Sequence, residues 1–510
     1  MAALRNVTCF NNSFQKLVPS FMKNDIRWLR SSRSSVVTVR KLKSKQKESL
    51  ISNVKELKKK SVIEKRIETS ETLLPKEKIR KDYEIQVTVE NQYRRLAETV
   101  TPLWKVPYEK QLKIKYDLCV KKLKSIAHLM RQNNCKNIPS HGLPCPIKAI
   151  KSSPVVDNYR NKDEFSIRPS PDGNMKTIGF FIGSPAEYKN VVCVGPDYLN
   201  NIKQSHKKVV QHLQNYINDS ALDACIDLKS GHWKNLVVRS NIHDDLMAII
   251  VMHPQNLSLE ELENEKNKLR TYFTIGEGKE CNLKSLYFQA CPHTRCTHEQ
   301  APFELIYGEP YIVENVDNLK FRISPESFFQ VNTAAAKVLF NTIIELGDFS
   351  ENSTVLDVCC GTGAISLFIA NNVRRTIGIE SSSQAIEDAV ANAELNEIKN
   401  STFFMENAEA FLPSLLSELY AEDLIVVLNP SRGGLKNSVI KTLRDCKHLQ
   451  KIIYVSCKPE GKAAENILQF CKRTKRFEKV THPFTPILAV PVDLFPHTKH
   501  CELIIVLQRI

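Results

Sequence analysis

The clearest pattern of apolar and polar positions lies between residues 354 and 380. An apolar run ending at Cys360 leads into the turn Gly361-Thr362-Gly363, and an apolar helical pattern begins at Ala364. After a polar gap, residues 376–380 form a second short apolar run. This order predicts strand, tight turn, helix and strand, which is the first half of a nucleotide-binding βαβ unit.

The same stretch indicates the class of ligand. Glycines let the backbone approach a ligand closely, and an acidic residue ending the second strand, here Glu380, can accept hydrogen bonds from both hydroxyls of a ribose. A phosphate-binding turn usually carries a third glycine, but Ser366 occupies that position. The turn therefore favours a nucleoside such as S-adenosylmethionine over a pyrophosphate.

Strand-like and helical patterns continue to alternate after this unit. Apolar runs lie at residues 401–405, 424–428, 451–455 and 502–507, with helical patterns between them. Such alternation predicts a doubly wound, mostly parallel sheet that binds its ligands beyond the carboxyl ends of the strands.

The region before this sheet has a different pattern. A helical pattern runs to about Arg131, and strand-like runs follow from Pro154 onward. Two of these runs, at 165–168 and 177–182, flank a Pro-Asp-Gly-Asn turn and predict a hairpin. We therefore expect a helical lead-in at 100–150, a small antiparallel α+β domain at 151–315 and the larger domain at 316–510.

The N-terminal region is basic and poor in acids. Residues 1–45 are rich in Arg, Lys and Ser, with Asp25 as the only acid. This composition predicts a mitochondrial transit peptide, with a disordered basic tail or a nuclear signal as the alternative. Residues 46–99, rich in Lys and Glu, are expected to form a flexible linker.

Net charge and hydropathy narrow the possible partners. The formal net charge is +16, but 21 Lys and Arg against 8 Asp and Glu precede residue 83, which leaves only +3 for the remainder. Any affinity of the folded part for RNA must therefore come from local patches. No apolar run reaches the roughly 18 residues of a membrane span, so no membrane insertion is expected.

The cysteines do not suggest a disulfide framework or a standard metal site. The 15 cysteines are scattered along the chain, which favours a reducing compartment. Cys291 and Cys296, with His293 and His298, form one metal-like cluster, but their spacing matches no standard zinc module. Neither a metal nor an iron–sulfur cluster is expected.

Polar or reactive groups stand beside three strands of the predicted larger sheet. Asn429-Pro430-Ser431-Arg432 follows one strand, Ser456-Cys457-Lys458-Pro459 follows the next, and His500-Cys501-Glu502 opens the last. A cysteine at a strand end is more often structural than catalytic. Here it would share one crevice with a methyl donor, which favours a catalytic role.

These motifs together resemble the RNA 5-methyluridine methyltransferase family, and most of all its vertebrate mitochondrial branch. The resemblance covers roughly residues 100–510. It implies a Rossmann-like S-adenosylmethionine-dependent methyltransferase domain with a smaller antiparallel α+β RNA-binding domain. The segments that carry it are T-P-L-W-K-V-P-Y at 101–108, Tyr159-Arg160-Asn161-Lys162, F-F-Q-V-N at 328–332, the glycine turn, N-P-S-R, S-C-K-P and H-C-E.

The family's chemistry accounts for the reactive residues. Carbon 5 of uracil is a weak nucleophile until a thiolate adds at carbon 6 and turns the ring into an enolate. After methyl transfer, a base must remove the proton from carbon 5 so that the thiolate can leave. The resemblance makes Cys457 the nucleophile and Glu502 the proton acceptor. Cys457 would need a depressed pKa, for which Lys458 and Arg432 are candidates.

The resemblance also implies binding residues. For the donor it implies Gln330, Cys359, Gly361, Gly363, Glu380 and Asn429. For RNA it implies Phe328 and Arg432, and we add Tyr159, Arg160, Lys162 and Arg168 as an interleaved aromatic and basic group of the small domain. The expected partner is tRNA, at the T-loop uridine 54, with rRNA as the rival, and the enzyme is expected to be a monomer of the mitochondrial matrix.

Asn429 departs from the aspartate of bacterial members, so its contribution to orienting the reactants is open.

Three alternatives to a uracil-5 methyltransferase remain. A cytosine-5 methyltransferase also uses cysteine, but its family lacks the F-F-Q-V-N and H-C-E motifs. An adenine-amino enzyme needs an aromatic residue where Arg432 stands, and an RNA-binding assembly factor would not need Cys457 and Glu502.

Overall fold

The computed structural model describes residues 87–135, 137–183, 191–296, 300–420, 422–472 and 482–509. The predicted transit peptide and most of the predicted linker lie outside these residues. Helix α1 (Gln92–Val100) and helix α2 (Tyr108–Gln132) come first. Because α1 buries Leu96 and Ala97, the folded region starts earlier than the expected boundary at residue 100.

A first sheet of seven strands occupies the middle of the chain. Its order is β3-β2-β1-β4-β5-β6-β7. Its elements are β1 (Lys162–Arg168), β2 (Thr177–Ile182), β3 (Val192–Val194), α3 (Gln204–Asp219), β4 (Trp233–Ser240), β5 (Leu246–Met252), α4 (Leu259–Thr274), β6 (Leu283–Ala290) and β7 (Glu304–Gly308).

The first sheet is mixed, whereas the sequence predicted an antiparallel one. The pairs β1–β2, β2–β3, β1–β4, β4–β5 and β6–β7 are antiparallel, but β5 and β6 are parallel. Helix α4 connects them, and a crossover through a helix brings the chain back in the same direction. A capping box begins this helix: Ser258 Oγ accepts from the Glu261 N–H, and the Glu261 carboxylate accepts from the Ser258 N–H.

A hairpin and a helix connect the two sheets. Strand β8 (Ile312–Val316) pairs with β9 (Leu319–Ile323), and helix α5 (Thr333–Gly347) follows. The loop before α5 is held to the first sheet by Arg239 of β4, whose guanidinium donates to the backbone oxygens of Ser324 and Ser327.

The second sheet also has seven strands, in the order β12-β11-β10-β13-β14-β16-β15. All neighbouring pairs are parallel except those that involve β16, which is antiparallel to both β14 and β15. Its elements are β10 (Ser353–Val358), α6 (Ala364–Ile369), β11 (Arg375–Glu380), α7 (Ser383–Leu395), β12 (Ser401–Met405), α8 (Ala408–Glu418), β13 (Asp423–Leu428), α9 (Asn437–Asp445), β14 (Lys451–Ser456), α10 (Lys462–Cys471), β15 (Phe484–Val492) and β16 (Glu502–Arg509).

Helices cover both faces of this sheet, which confirms the predicted doubly wound fold. Side chains of a strand alternate between the faces, so Val355 packs with α5 and α6 while Leu356 packs with α2, α8, α9 and α10. The sequence did not predict β15, which contains Pro486 and Pro491. It is an edge strand, where a missing backbone N–H is tolerated.

Helix α2 braces the loop between β15 and β16. Its fully buried Lys115 donates to Asp493 Oδ1 at 2.5 Å and to the backbone oxygen of Phe495 at 2.8 Å. The hydroxyl of Tyr108 donates to Asp493 Oδ2 at 3.1 Å and accepts from the Ser153 N–H. Tyr108, the last residue of the T-P-L-W-K-V-P-Y segment, and Lys115 therefore fix the loop that leads into Glu502.

The metal-like cluster of the sequence is a disulfide in the structure. Cys291 and Cys296 are bonded to each other, so their thiolates are not available to a metal. His298 lies outside the described residues. Within the described part of the chain, no helix is long and apolar enough to cross a membrane.

Candidate active site

Cys457 and Glu502 lie side by side at one edge of the second sheet. Cys457 directly follows β14, and Glu502 is the first residue of the antiparallel strand β16. The register pairs Ser456 with Leu503, and continuing it by one residue sets Cys457 opposite Glu502. The fold therefore brings together the nucleophile and the base that the sequence resemblance implied.

The thiol of Cys457 is half-buried, and its pKa is raised. Burial is the main cause, and the nearby Glu502 carboxylate adds to it, whereas a hydrogen bond and the positive charge of Arg432 act in the opposite direction. The shift is opposite to the one that a nucleophilic thiolate needs. Of the two expected activators, Arg432 lowers the pKa of the thiol. Lys458 is exposed, and its backbone N–H donates to Ser456 Oγ.

Glu502 is 4% exposed, and burial raises its pKa to about 8, with Arg432 opposing the shift. Within the described residues, its Oε2 atom is buried and has no hydrogen-bond partner. A buried carboxylate without partners is costly, and such groups concentrate at functional sites. This oxygen is suited to accept a proton from a substrate held against Cys457.

Cys457 lines a cavity of about 260 Å³ whose walls come from both sheets. Arg160, Phe180, Asn201 and Ile202 belong to the region of the first sheet. Of the wall residues, the sequence proposed Arg160, Arg432 and Cys457 as site residues. His500 belongs to the H-C-E motif but was not proposed as a site residue. The remaining wall residues were missed because they belong to no motif quoted above: Val100, Phe180, Asn201, Ile202, Phe495 and Thr498.

The glycine turn forms a backbone cradle after β10. Cys359, Gly361 and Gly363 all have positive φ, at 68°, 55° and 77°. A Cβ on Gly361 would meet no atom within 4 Å, so the space above it is open, whereas a Cβ on Gly363 would collide with the Phe403 ring at 2.7 Å. A ligand can therefore approach the backbone at Gly361, while Gly363 is required by packing.

Glu380 stands at the carboxyl end of β11, next to this cradle. Its Oε2 accepts from the Gly361 N–H at 3.3 Å, and its Oε1 accepts from the N–H groups of Ser381 and Ser382 at 2.7 and 3.2 Å. These bonds fix the carboxylate between the turn and the start of α7. A carboxylate has further lone pairs, so the position fits a ribose with two vicinal hydroxyls.

Gln330 lies in the loop between the two sheets, 8% exposed. Asn161 holds this loop: its Nδ2 donates to the Gln330 backbone oxygen at 2.8 Å and to Thr333 Oγ1 at 2.9 Å, and its N–H donates to the Val331 backbone oxygen at 2.9 Å. The two sequence motifs Y-R-N-K and F-F-Q-V-N are therefore bonded to each other.

Three further residues predicted to bind the donor or RNA differ in exposure. Asn429 follows β13 and is partly exposed, Arg432 is exposed in the loop after it, and Phe328 has 65% of its surface exposed. Arg432 and the cysteine line the same cavity. Phe328 is accessible to a large ligand such as RNA.

The four basic and aromatic candidates of the first sheet do not form one surface. Tyr159 is 5% exposed, and its hydroxyl donates to the Pro496 backbone oxygen, so it supports the loop rather than offering a ring to RNA. Arg168 donates to the Ile226 backbone oxygen. Burial and the positive charges of Arg239 and Arg160 lower the pKa of Lys162 to about 8. Among these four, only Arg160 is among the residues that line the cavity.

Comparison with known sequences identifies the family. A family model described as tRNA (Uracil-5-)-methyltransferase matches residues 304–510. The chain is 44% identical over 418 residues to tRNA (uracil-5-)-methyltransferase homolog B of Danio rerio, a match that covers 81% of this chain and 87% of that protein. It is 42% identical over 423 residues to the human homolog B, and 39% identical over 428 residues to the human homolog A.

A solved structure supports the fold. The tRNA (uracil-54, C5)-methyltransferase of Pyrococcus abyssi, solved with S-adenosyl-L-homocysteine, superposes with a TM-score of 0.56 at 23% identity, covering 79% of this chain and 83% of that one. The enzyme class expected from the sequence, a methyltransferase that uses S-adenosylmethionine, is confirmed. With relatives this similar over most of its length, the chain belongs to the tRNA (uracil-5-)-methyltransferase family.

Proposed function

We propose that this enzyme methylates carbon 5 of the T-loop uridine, position 54, of mitochondrial tRNA through a covalent adduct between Cys457 and the uracil ring. The main supporting observation is that Cys457 and Glu502 directly follow the last register pair of β14 and β16, Ser456 with Leu503, and that Cys457 lines a cavity formed by both sheets. The name of the Pyrococcus abyssi neighbour, which specifies uracil 54, supports the choice of position.

The residues at the cavity account for each proton and bond of the adduct mechanism. The Cys457 thiolate forms a bond to carbon 6, and the electron pair of the carbon 5–carbon 6 double bond moves into the enolate. Bound S-adenosylmethionine would supply an electrophilic methyl group: carbon 5 forms a bond to the methyl carbon, the sulfur–methyl bond breaks, and S-adenosylhomocysteine is the leaving group. Glu502 then accepts the carbon 5 proton, the carbon–sulfur bond breaks, and the Cys457 thiolate is regenerated while Glu502 passes its proton to solvent.

The cradle and its neighbours would hold the donor. Glu380 would accept hydrogen bonds from the ribose hydroxyls, and the backbone at Cys359, Gly361 and Gly363 would line the amino-acid part. Gln330 and Asn429 would contact the donor from the loops beside it. The open space above Gly361 and the anchored Glu380 carboxylate support this assignment.

The cavity requires an unstacked uridine. Its walls come from two sheets, so a base that is stacked within a helix cannot place one face against Cys457 and the other toward the donor. The enzyme must extrude the uridine, at a cost of a few kcal/mol of lost stacking that contacts to the RNA backbone have to offset. Arg160 and Arg432 in the walls supply positive charge for such contacts.

The choice of RNA can be tested with transcripts. With S-adenosylmethionine carrying a labelled methyl group, we expect label in a tRNA transcript at uridine 54, as located by nuclease digestion and mass spectrometry. The matched control is the same transcript with cytidine at position 54, which should take up no label. Label found in rRNA fragments but not in tRNA would overturn the tRNA assignment, and label at the cytidine would favour a cytosine-5 enzyme.

The proposed location, the mitochondrial matrix, rests on the composition of the first 45 residues. Imported into isolated mitochondria, the full chain should become protease-protected and lose a few tens of N-terminal residues. A control chain with its Arg and Lys residues before residue 45 changed to Gln should remain outside. Detection of intact Met1 in a cytosolic product would contradict the assignment.

A further inference from the structure

A chain of buried polar side chains runs behind the cavity wall at Arg160. Arg160 Nε donates to Asp163 Oδ1 at 2.5 Å, and Asp163 Oδ2 lies 2.7 Å from His206 Nδ1. His206 Nε2 lies 2.9 Å from Ser240 Oγ. With His206 protonated on Nδ1, the ring donates to Asp163 and accepts from the Ser240 hydroxyl, so every ring nitrogen and both carboxylate oxygens are satisfied. We call Asp163, His206 and Ser240 the buried relay.

The buried relay has the residue types of a hydrolase triad but cannot act as one. Asp163 and His206 are fully buried, and Ser240 is 4% exposed. A nucleophilic serine must reach a substrate carbonyl, and it needs oxyanion donors beside it. None of the three relay residues lines the cavity, so their chemistry has to act through Arg160, the member of the chain that does.

The relay is anchored in three elements of the first sheet. Asp163 belongs to β1, His206 to the first turn of α3 and Ser240 to the end of β4. The Ser240 N–H also donates to the backbone oxygen of Asn161, two residues before Asp163. Removing the His206 ring would leave Asp163 Oδ2 buried without its hydrogen-bond partner, and an unsatisfied buried acceptor is costly.

Electrostatics bind Arg160 firmly to this relay. Burial alone would raise the pKa of Asp163, but Arg160 and His206 together lower it below its usual range. Asp163 is therefore an anion that faces the guanidinium from inside the protein. The Arg160 Nη2 atom also donates to the Lys162 backbone oxygen at 2.9 Å, and two fixed bonds set the plane of a guanidinium.

We propose that Asp163, His206 and Ser240 are positioning residues that fix the Arg160 guanidinium in the cavity wall, where it binds an anionic oxygen of the extruded nucleotide. The proposal rests on the proposed function, because it needs a nucleotide in this cavity. Two oxygens share the required chemistry: a phosphate oxygen next to the uridine, and the uracil oxygen on which charge collects when Cys457 adds to carbon 6.

The test combines the relay variant His206→Phe with Arg160→Ala in a double-mutant cycle. In the wild-type background, His206→Phe keeps the ring volume but breaks both hydrogen bonds, and we expect kcat/KM for tRNA methylation to fall by up to about 10²-fold, as small misplacements of a binding group do. In the Arg160→Ala background, the same substitution should change kcat/KM by less than about twofold, because the guanidinium that His206 positions is no longer present.

Two further variants separate positioning from folding. His206→Gln, whose amide can still donate to Asp163, should recover part of the lost rate. His212→Phe, on the same helix beside Glu280, is the matched control and should leave kcat/KM unchanged. If His206→Phe does not fold, as judged by its thermal midpoint, Ser240→Ala, which keeps the His206–Asp163 bond, replaces it in the cycle.

The kinetic parameters identify the oxygen that Arg160 binds. A rise in KM with unchanged kcat indicates the phosphate, which carries its charge before reaction, whereas a fall in kcat indicates the uracil oxygen. Equal losses from His206→Phe with and without Arg160, or no loss in a folded variant, would overturn the proposal. A wild-type enzyme that methylates no RNA would overturn the proposed function, and this proposal with it.

Discussion

Incubation of wild-type enzyme with 5-fluorouracil-substituted tRNA and S-adenosylmethionine is expected to give a protein–RNA adduct that survives denaturing electrophoresis, whereas Cys457→Ala gives none. Fluorine cannot leave carbon 5 as a proton does, so the step that Glu502 serves is blocked and the carbon–sulfur bond persists. Turnover of ordinary tRNA by Cys457→Ala should be undetectable, because carbon 5 is not activated without the thiolate.

The control for this experiment is a buried cysteine in the segment between α9 and β14. Cys446 precedes β14, at the opposite end of the strand from Cys457, and is buried beside His448. Cys446→Ala should therefore trap RNA as the wild type does. Mass spectrometry of the trapped peptide should place the nucleotide on Cys457 and find one added methyl group. An adduct that persists in Cys457→Ala would assign the nucleophile to another residue.

The second large effect is expected for Glu502→Gln with ordinary tRNA. The amide cannot accept the carbon 5 proton, so the methylated adduct should accumulate on the enzyme and turnover should fall by a factor on the order of 10²–10⁴. Quench-flow sampling of the covalent complex measures both quantities. Full turnover by this variant, with no accumulated adduct, would remove Glu502 from the role of base.

The pKa of Glu502 gives this prediction a pH dependence. Because the folded-state pKa is about 8, the carboxylate that accepts the proton becomes more populated as pH rises to about 8, and adduct release by the wild type should accelerate over that range. The pKa of the free Cys457 thiol is also raised, so the thiolate that attacks carbon 6 becomes more populated as pH rises, and adduct formation should accelerate as well. Release by Glu502→Gln should lack the Glu502 contribution to this slope.

Protein stability should show the opposite trend. A carboxyl whose pKa is raised by folding favours the folded state only while it is protonated, so the wild type loses stability between about pH 4.3, the pKa of an unfolded glutamate, and about pH 8. Glu502→Gln removes this loss. The variant should therefore melt at a higher temperature than the wild type at pH 8, while the difference at pH 4 should be small.

The sequence predicted most of the second sheet because its strands follow a regular order. Strands β11 to β14 lie within a residue of their predicted positions, since each is a continuous apolar run bounded by polar helices. Strand β15 was missed because Pro486 and Pro491 contradict the usual strand composition. Its position at the edge of the sheet, which makes the prolines harmless, depends on tertiary structure.

The candidate site was predicted only as far as its motifs reach. Cys457 and Glu502 were proposed from separate segments, but their alignment depends on the insertion of β16 between β14 and β15, which no local pattern reports. Phe180 and Asn201 line the cavity because the first sheet packs against the second, which the sequence does not show. The raised pKa of Cys457 was also unexpected, because burial cannot be read from neighbouring charges in the sequence.

The bonds of Asn161 have a consequence for how the two reactants bind. This side chain lies just before β1 and holds the Gln330 loop, so a residue beside the sheet that we propose binds RNA fixes a residue that we propose contacts the donor. Any displacement of the first sheet by RNA is transmitted to Gln330 through these bonds. By thermodynamic reciprocity, if tRNA tightens the binding of S-adenosylmethionine, then S-adenosylmethionine tightens the binding of tRNA by the same factor, and Asn161 is the residue through which that factor would be set.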